Sequence, residues 1–235
     1  MSNRRLSPSL CSCIIFLALA INSTSGAMAG ARAIDSVASA LLSQDAELRL
    51  PDRHFNVTIT QGDKRYVFKF NLTNGTLHTR AKGDGRSNGG LCAAERINVI
   101  SVTCRVKTVG WYATYNGSIY QETEQLGEES PESFNVNIAI TEYEWPPNPA
   151  DVTVYIVVPA NFLQLRVSAL PTDFIVIITT VPPFEDLLIF ADSKELAKKV
   201  EAEFDDYVWE EIKPEMKKAL RDDYASYVKR RINKA

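Results

Sequence analysis

Over residues 33–48 the apolar side chains Ile34, Val37, Ala38, Leu41 and Leu42 fall at the i, i+3, i+4, i+7, i+8 spacing of a helix with one buried face, and Pro51 ends it. From His54 the period changes to two. Phe55, Val57 and Ile59 alternate with His54, Asn56 and Thr58, and Gln61-Gly62-Asp63 makes a turn. Tyr66, Phe68, Phe70 and Leu72 then alternate with Val67, Lys69 and Asn71. Further strands are expected over 96–106, 108–115, 134–141, 152–158, 163–169 and 174–180. Asn74-Gly75 and Asn116-Gly117 read as turns, because Asn and Gly tolerate positive φ. Short connections between so many strands predict an antiparallel meander.

The last sixth of the chain returns to a helical period. Leu196, Val200, Phe204, Val208 and Ile212 recur every fourth residue, and Met216, Leu220, Tyr224, Tyr227 and Val228 continue beyond Pro214. Asp192 and Glu195 have the spacing of a capping box, and Pro214 predicts a kink. A helix over 193–233 would be about 60 Å long. Its apolar stripe needs a partner of similar length, and only the strands can supply one. The fold class is therefore α+β: a curved antiparallel β-sheet wrapped around a long C-terminal helix, with a short N-terminal amphipathic helix.

The first 29 residues read as a secretory signal peptide. Arg4 and Arg5 precede an apolar run from Cys11 to Ile21, and Ala27-Met28-Ala29 is a cleavage site. An eleven-residue run is too short to span a bilayer, which takes roughly 20 residues. Residues 30–235 then form a single domain, secreted and extracellular. Cleavage leaves 24 basic and 29 acidic residues, a net charge of -5. Cys92 and Cys104 remain as the one pair available for a disulfide in an oxidising route. Four N-x-S/T tripeptides, at Asn56, Asn71, Asn74 and Asn116, are candidate glycosylation sites.

Composition narrows the chemistry. The 235-residue chain is 45% hydrophobic and 23% charged with a formal net charge of -3, which excludes collagen, a coiled-coil rod and a strongly basic nucleic-acid binder. The glycine-rich stretch 83–90 (GDGRSNGG) precedes strand pattern and not a helix N-terminus, so it reads as a hairpin loop and not as a phosphate cradle. His54 and His78 are isolated, which leaves a metal site short of ligands. No G-x-S-x-G elbow is present. The expectation is a protein that is not an enzyme and holds no cofactor or metal. Along the tail, residues 193–211 carry three Lys against seven acids, and residues 212–235 carry eight Lys or Arg against three acids. That order complements the helix dipole. The sharper reading makes Lys229, Arg230, Arg231 and Lys234 a basic tip for anionic lipid surfaces.

The order of elements resembles the tubular lipid-binding superfamily. Within it the chain is most similar to single-domain arthropod secreted members, the mite group-seven allergens and juvenile-hormone-binding-like proteins. The residues that carry the resemblance are Asn74-Gly75-Thr76-Leu77, the strand 100–106 with the following 111–117 (WYATYNG), and the tail 208–232 with its acidic pair, proline and lysine-rich turns (VWEEIKPEMKKAL). The loop 83–90 departs from the pattern. The resemblance implies binding of lipids or other apolar ligands and brings no catalytic residues with it.

The leading expectation is thus a secreted, non-catalytic carrier of a lipid or apolar small molecule, with no nucleic-acid partner. Phe68, Phe70, Val136, Ile138 and Ile140 would form one wall of its groove, and Leu41, Leu196, Val200 and Phe204 the other. No charged anchor faces that groove. Two alternatives stay open: a lipocalin-like carrier, and a secreted immune or interaction protein with a filled core.

Overall fold

A computed structural model describes residues 45–80, 91–96, 100–122, 130–143, 148–158 and 165–234. Ten strands lie among them, all paired antiparallel: β1 (Glu47–Arg49), β2 (Arg53–Gln61), β3 (Lys64–His78), β4 (Leu91–Arg96), β5 (Ile100–Lys107), β6 (Tyr112–Glu122), β7 (Glu132–Thr141), β8 (Asp151–Val158), β9 (Arg166–Pro171) and β10 (Ile175–Val181). The expected single meander is two sheets. Sheet A has the order β1-β3-β6-β7-β10, with β2 sharing the β3 edge beside β1, and sheet B has the order β4-β5-β8-β9. The chain leaves sheet A for the β4–β5 hairpin and again for the β8–β9 hairpin. Alternation along a strand reports which face is buried but not which neighbour it pairs with, so the sequence pattern could not show this division.

The N-terminal helix expected over 33–48 lies mostly outside the described residues, Leu41 included. Its last turn is strand instead. Glu47–Arg49 pairs with Thr76–His78. Ala46, Leu48 and Leu50 are buried while Asp45, Glu47 and Arg49 are exposed, a period of two that overrides the helical spacing upstream.

Both Asn-Gly pairs also differ from expectation, since each sits inside a strand. At Asn74-Gly75 the β3–β6 register slips between Thr73 and Thr76, and Asn74 takes φ 56°, which makes a β-bulge and not a hairpin end. Gly75 is required by a close approach: a Cβ there would run into the ring of Tyr115 and the Cβ of Leu50. The chain is pinned at this point by Leu50 N–H donating to Gly75 O at 2.8 Å and Asn74 N–H donating to Asp52 Oδ1 at 2.9 Å. Asn116-Gly117 lies in mid-β6, where the phenyl ring of Phe134 on β7 occupies the space a side chain at Gly117 would need. The turn at Gly62 is where the pattern placed it, with φ 59°.

The tail forms α1 (Lys194–Tyr207), a π-helical turn over Val208–Ile212, and α2 (Lys213–Lys234) in one continuous run. Ser193 is the N-cap, its Oγ accepting from Leu196 N–H at 3.2 Å. The N-cap is therefore one residue beyond Asp192 and the expected capping box does not form: Glu195 pairs instead with Lys199 at 2.7 Å. The irregularity expected at Pro214 takes the form of the π turn, closed by Lys213 N–H donating to Val208 O. Proline lacks an amide donor and its ring crowds the carbonyl one turn back, and a widened turn just before it relieves both.

The helix stripe repeats every fourth residue from Leu196 through Ile232, and all ten of its members are buried. A four-residue step on a 3.6-residue helix advances by about 40°, so the stripe winds around the helix instead of staying on one face. That winding suits a helix serving two sheets. α1 packs on β2 of sheet A and on the short 3-10 turns Phe184–Asp186 and Leu188–Phe190, while α2 packs on β9 of sheet B and on β1. The expected class, antiparallel sheet around one long C-terminal helix, is the class observed.

Candidate functional site

Of the residues expected to line a groove, Leu41 lies outside the described residues and the others are all in the core. Phe68, Phe70, Val136, Ile138, Ile140, Leu196, Val200 and Phe204 are each at most 5% exposed. The rings among them meet each other or other phenylalanines. Phe204 on α1 lies 5.4 Å from Phe70 and 5.2 Å from Phe184, ring centre to ring centre. Phe68 meets Phe190 at 5.2 Å, and Phe134 meets Phe184 edge-on at 5.1 Å. Phe55, half-buried on β2, is stacked on Phe70 at 4.9 Å and on Tyr207 at 3.6 Å. Offset and edge-on ring pairs of this kind interlock, each worth roughly 0.5–1.5 kcal/mol beyond burial. Val136, Ile138 and Ile140 share the inward face of β7, opposite Thr180, Ile178 and Val176 of β10. The two walls anticipated from the pattern thus face each other, with side chains between them.

Farther along the helix the core continues with Trp111 edge-on to Tyr224 at 5.5 Å. Tyr224 Oη is buried with no hydrogen-bond partner, and burial, with a smaller contribution from Tyr227, pushes its phenol well above the usual range.

Space opens at a different place. A cleft of about 600 Å³ lies between α2 and the chain that carries β1. Its floor is Leu48, Leu50, Pro51 and Ala219. Its rim is charged, with Glu47, Arg49, Glu215, Lys218, Asp222, Asp223 and Arg230. The strand alternation that sends Leu48 and Leu50 inward also turns Glu47 and Arg49 to the rim.

Part of the rim charge is spent on pairs. Arg53 Nη2 on β2 donates to Glu215 Oε1 at 2.8 Å and so ties sheet A to α2; Lys218 Nζ lies 3.8 Å from the other oxygen of Glu215. Arg221 grips Asp222 with two hydrogen bonds of 2.9 and 3.1 Å and holds that carboxyl below its usual range. Arg49 and Arg230 have no ion-pair partner among the described residues. Nothing in the periodicity marked this cleft, because its residues come from a strand end and from the polar side of α2. The signal available was the short alternation Asp45–Leu50.

Three further contacts hold the helix in place, through Lys213, Lys217 and Tyr227. Asp173, just before β10, accepts from Tyr143 Oη at 3.1 Å and lies 3.5 and 3.4 Å from the ammonium groups of Lys213 and Lys217. Partial burial would raise this carboxyl, but Lys213, Tyr143 and Lys217 together hold it below its ordinary value. Tyr227 Oη donates to Asp45 O at 3.0 Å, which fixes the start of the described chain to α2.

Cys92 and Cys104 are bonded, directly opposite each other on β4 and β5 with 4.0 Å between their Cα atoms. Among the described residues no three His, Cys, Asp or Glu side chains gather as metal ligands, and no helix is long and apolar enough to cross a membrane.

No family model and no curated protein matches the chain. Among solved structures, a lipopolysaccharide binding protein aligns with 82% of this chain at 13% identity and a TM-score of 0.31. The chain spans 38% of that protein's length.

Proposed function

We propose that the protein is a secreted, non-catalytic binding protein for lipids or other apolar ligands, and that the ligand occupies the cleft between β1 and α2. The observation that carries this reading is the cleft itself. Its volume of about 600 Å³ falls within the roughly 300–1,000 Å³ of small-molecule sites, and its floor is apolar. Arg49, Lys218 and Arg230 stand at the rim beside Glu47, Glu215, Asp222 and Asp223, so the mouth suits a ligand with a polar head, where a groove without a charged anchor had been expected. The Cys92–Cys104 disulfide fits an oxidising compartment, in keeping with the leader read over residues 1–29. The basic end of α2, where Lys229, Arg230 and Arg231 are exposed, supports contact with anionic lipid surfaces. The test is displacement of a fluorescent fatty-acid probe, with Lys218→Trp placing an indole across the mouth of the cleft. Saturable binding by the wild type, lost in the variant while its circular dichroism is unchanged, supports the reading. Absence of saturable binding across fatty acids, phospholipids and terpenoids overturns it.

A second reading is favoured by the interlocked phenylalanines around Phe204: an extracellular interaction protein with a filled core and a protein partner. It predicts no probe binding at any site.

A further inference from the structure

In a strand, residues i and i+2 point to the same face. An N-x-S/T tripeptide inside a strand therefore sets its asparagine and its hydroxyl side by side. Three of the four tripeptides are so placed: Asn56 with Thr58 on β2, Asn71 with Thr73 on β3, and Asn116 with Ser118 on β6. The fourth, Asn74 with Thr76, sits on the β3 bulge. In every case the middle residue, Val57, Leu72, Gly117 or Gly75, is buried. All four asparagines thus belong to the outer side of sheet A, the side turned away from the helix.

The register gathers them further. Asn71 lies opposite Ser118 and Thr73 opposite Asn116, while Asn56 lies beside Lys69 and His54 beside Asn71. The face continues across β7 with Ser133, Asn135 and Asn137. Asparagine is a poor strand former, so a sheet face rich in it runs against local preference, as functional surfaces do. The four sites are not equivalent. Asn56, Asn74 and Asn116 are exposed. Asn71 is half-buried, with β2 on one side of it and β6 on the other.

We propose that Asn56, Asn74 and Asn116 carry N-linked glycans and Asn71 does not, so that the outer face of sheet A is a sugar-covered surface closed to macromolecular partners. The donor is a polyprenyl-diphosphate-linked oligosaccharide of the secretory pathway. The Asn Nδ2–C1 bond to the first sugar forms, the C1–O bond to the diphosphate breaks, the amide gives up one proton, and polyprenyl diphosphate leaves with the bonding pair. Transfer takes place on the extended chain. A chain modified at Asn71 must then fold with a sugar on an amide that sheet A half buries, and that excludes it from the folded, exported product. The proposal rests on the export part of the reading above and not on the ligand cleft.

The test is expression of the full chain, with its own leader, in a eukaryotic secretory cell line. Protein from the medium is treated with peptide N-glycosidase in heavy-oxygen water and mapped by tandem mass spectrometry. Asn71 and Asn74 share one tryptic peptide, Phe70–Arg80, so fragment ions assign the label between them. A parallel incubation without the glycosidase subtracts spontaneous deamidation at the two Asn-Gly pairs. Label at Asn56, Asn74 and Asn116 with none at Asn71 is the expected result. Thr58→Ala, Thr76→Ala and Ser118→Ala should each remove one glycan from the intact mass, and Thr73→Ala none. A glycan at Asn71, or exported protein bare at the three exposed sites, overturns the assignment. A chain retained in the cell without sugar overturns both export and the assignment.

Discussion

Truncating Phe204 to alanine probes the center of the helix–sheet seam. The ring is completely buried, and its centre lies within 6.0 Å of those of Phe55, Phe70, Phe134 and Phe184. Buried Phe→Ala changes cost about 3–5 kcal/mol, more where neighbours cannot collapse into the gap. Here the four neighbours belong to β2, β3, β7 and a 3-10 turn, and each is itself held by other rings, so the low end of that range does not apply and a cost of about 4 kcal/mol is expected. Set against a total stability of roughly 5–15 kcal/mol, that is a large fraction. With a urea slope near ~2 kcal/mol per molar, the midpoint should fall by ~2 M. The assay is urea unfolding followed by tryptophan fluorescence, for which buried Trp111 is a native-state reporter. Phe204→Leu, which keeps most of the volume, should cost about 1 kcal/mol. A loss below ~1.5 kcal/mol for the alanine variant would refute the reasoning, since it would mean that the ring already borders open space, the groove expected from the sequence pattern.

Three other outcomes follow from particular contacts. Gly75→Ala should destabilise by ~2 kcal/mol, because the added methyl meets the Tyr115 ring and Leu50; an unchanged thermal midpoint would contradict the bulge geometry. Burial, with Glu201 and Asp206 nearby, raises the Asp205 carboxyl from 3.8 to about 6, so its charge opposes folding above pH 6 and that penalty fades as pH falls toward 4. Asp205→Asn should therefore gain about 1 kcal/mol at pH 7, after discounting ~3 kcal/mol for solvent screening, and nothing at pH 4; equal gains at both pH values, measured by chemical denaturation, would contradict it. Replacing Cys92 and Cys104 together by alanine should cost about 3 kcal/mol on the chain-entropy argument for a short loop, and free-thiol labelling of the denatured, unreduced wild type should find neither cysteine.

The parts of the fold that were legible in the sequence are those written in a single local period. The tail stripe from Leu196 to Val228 needed only its four-residue repeat, and the inward residues of β7 only their alternation. What escaped depends on contacts distant in sequence. Asn74-Gly75 and Asn116-Gly117 look like turns locally, yet they are glycines over which Tyr115 and Phe134 pass, and no local pattern encodes the ring above. The segment up to Leu50 carries two periods in succession, and the helical one masks the strand. The split into two sheets is a matter of pairing partners, which alternation does not specify. The candidate site was legible only in kind. The apolar alternation and the helix stripe mark residues that are buried, whereas the cleft brings Leu48 and Leu50 to Ala219, more than 160 positions away along the chain, which no local pattern encodes.

Native mass spectrometry of the protein purified from culture medium tests the central claim most directly, with organic extraction of the same sample to identify what it carries. The wild type should show a population with one lipid-sized adduct that disappears in Lys218→Trp, and the extract should contain an amphiphile. A mass without a lipid adduct in both proteins, together with an extract free of lipid and no saturable probe binding, would contradict the ligand cleft and leave the filled-core interaction protein in its place.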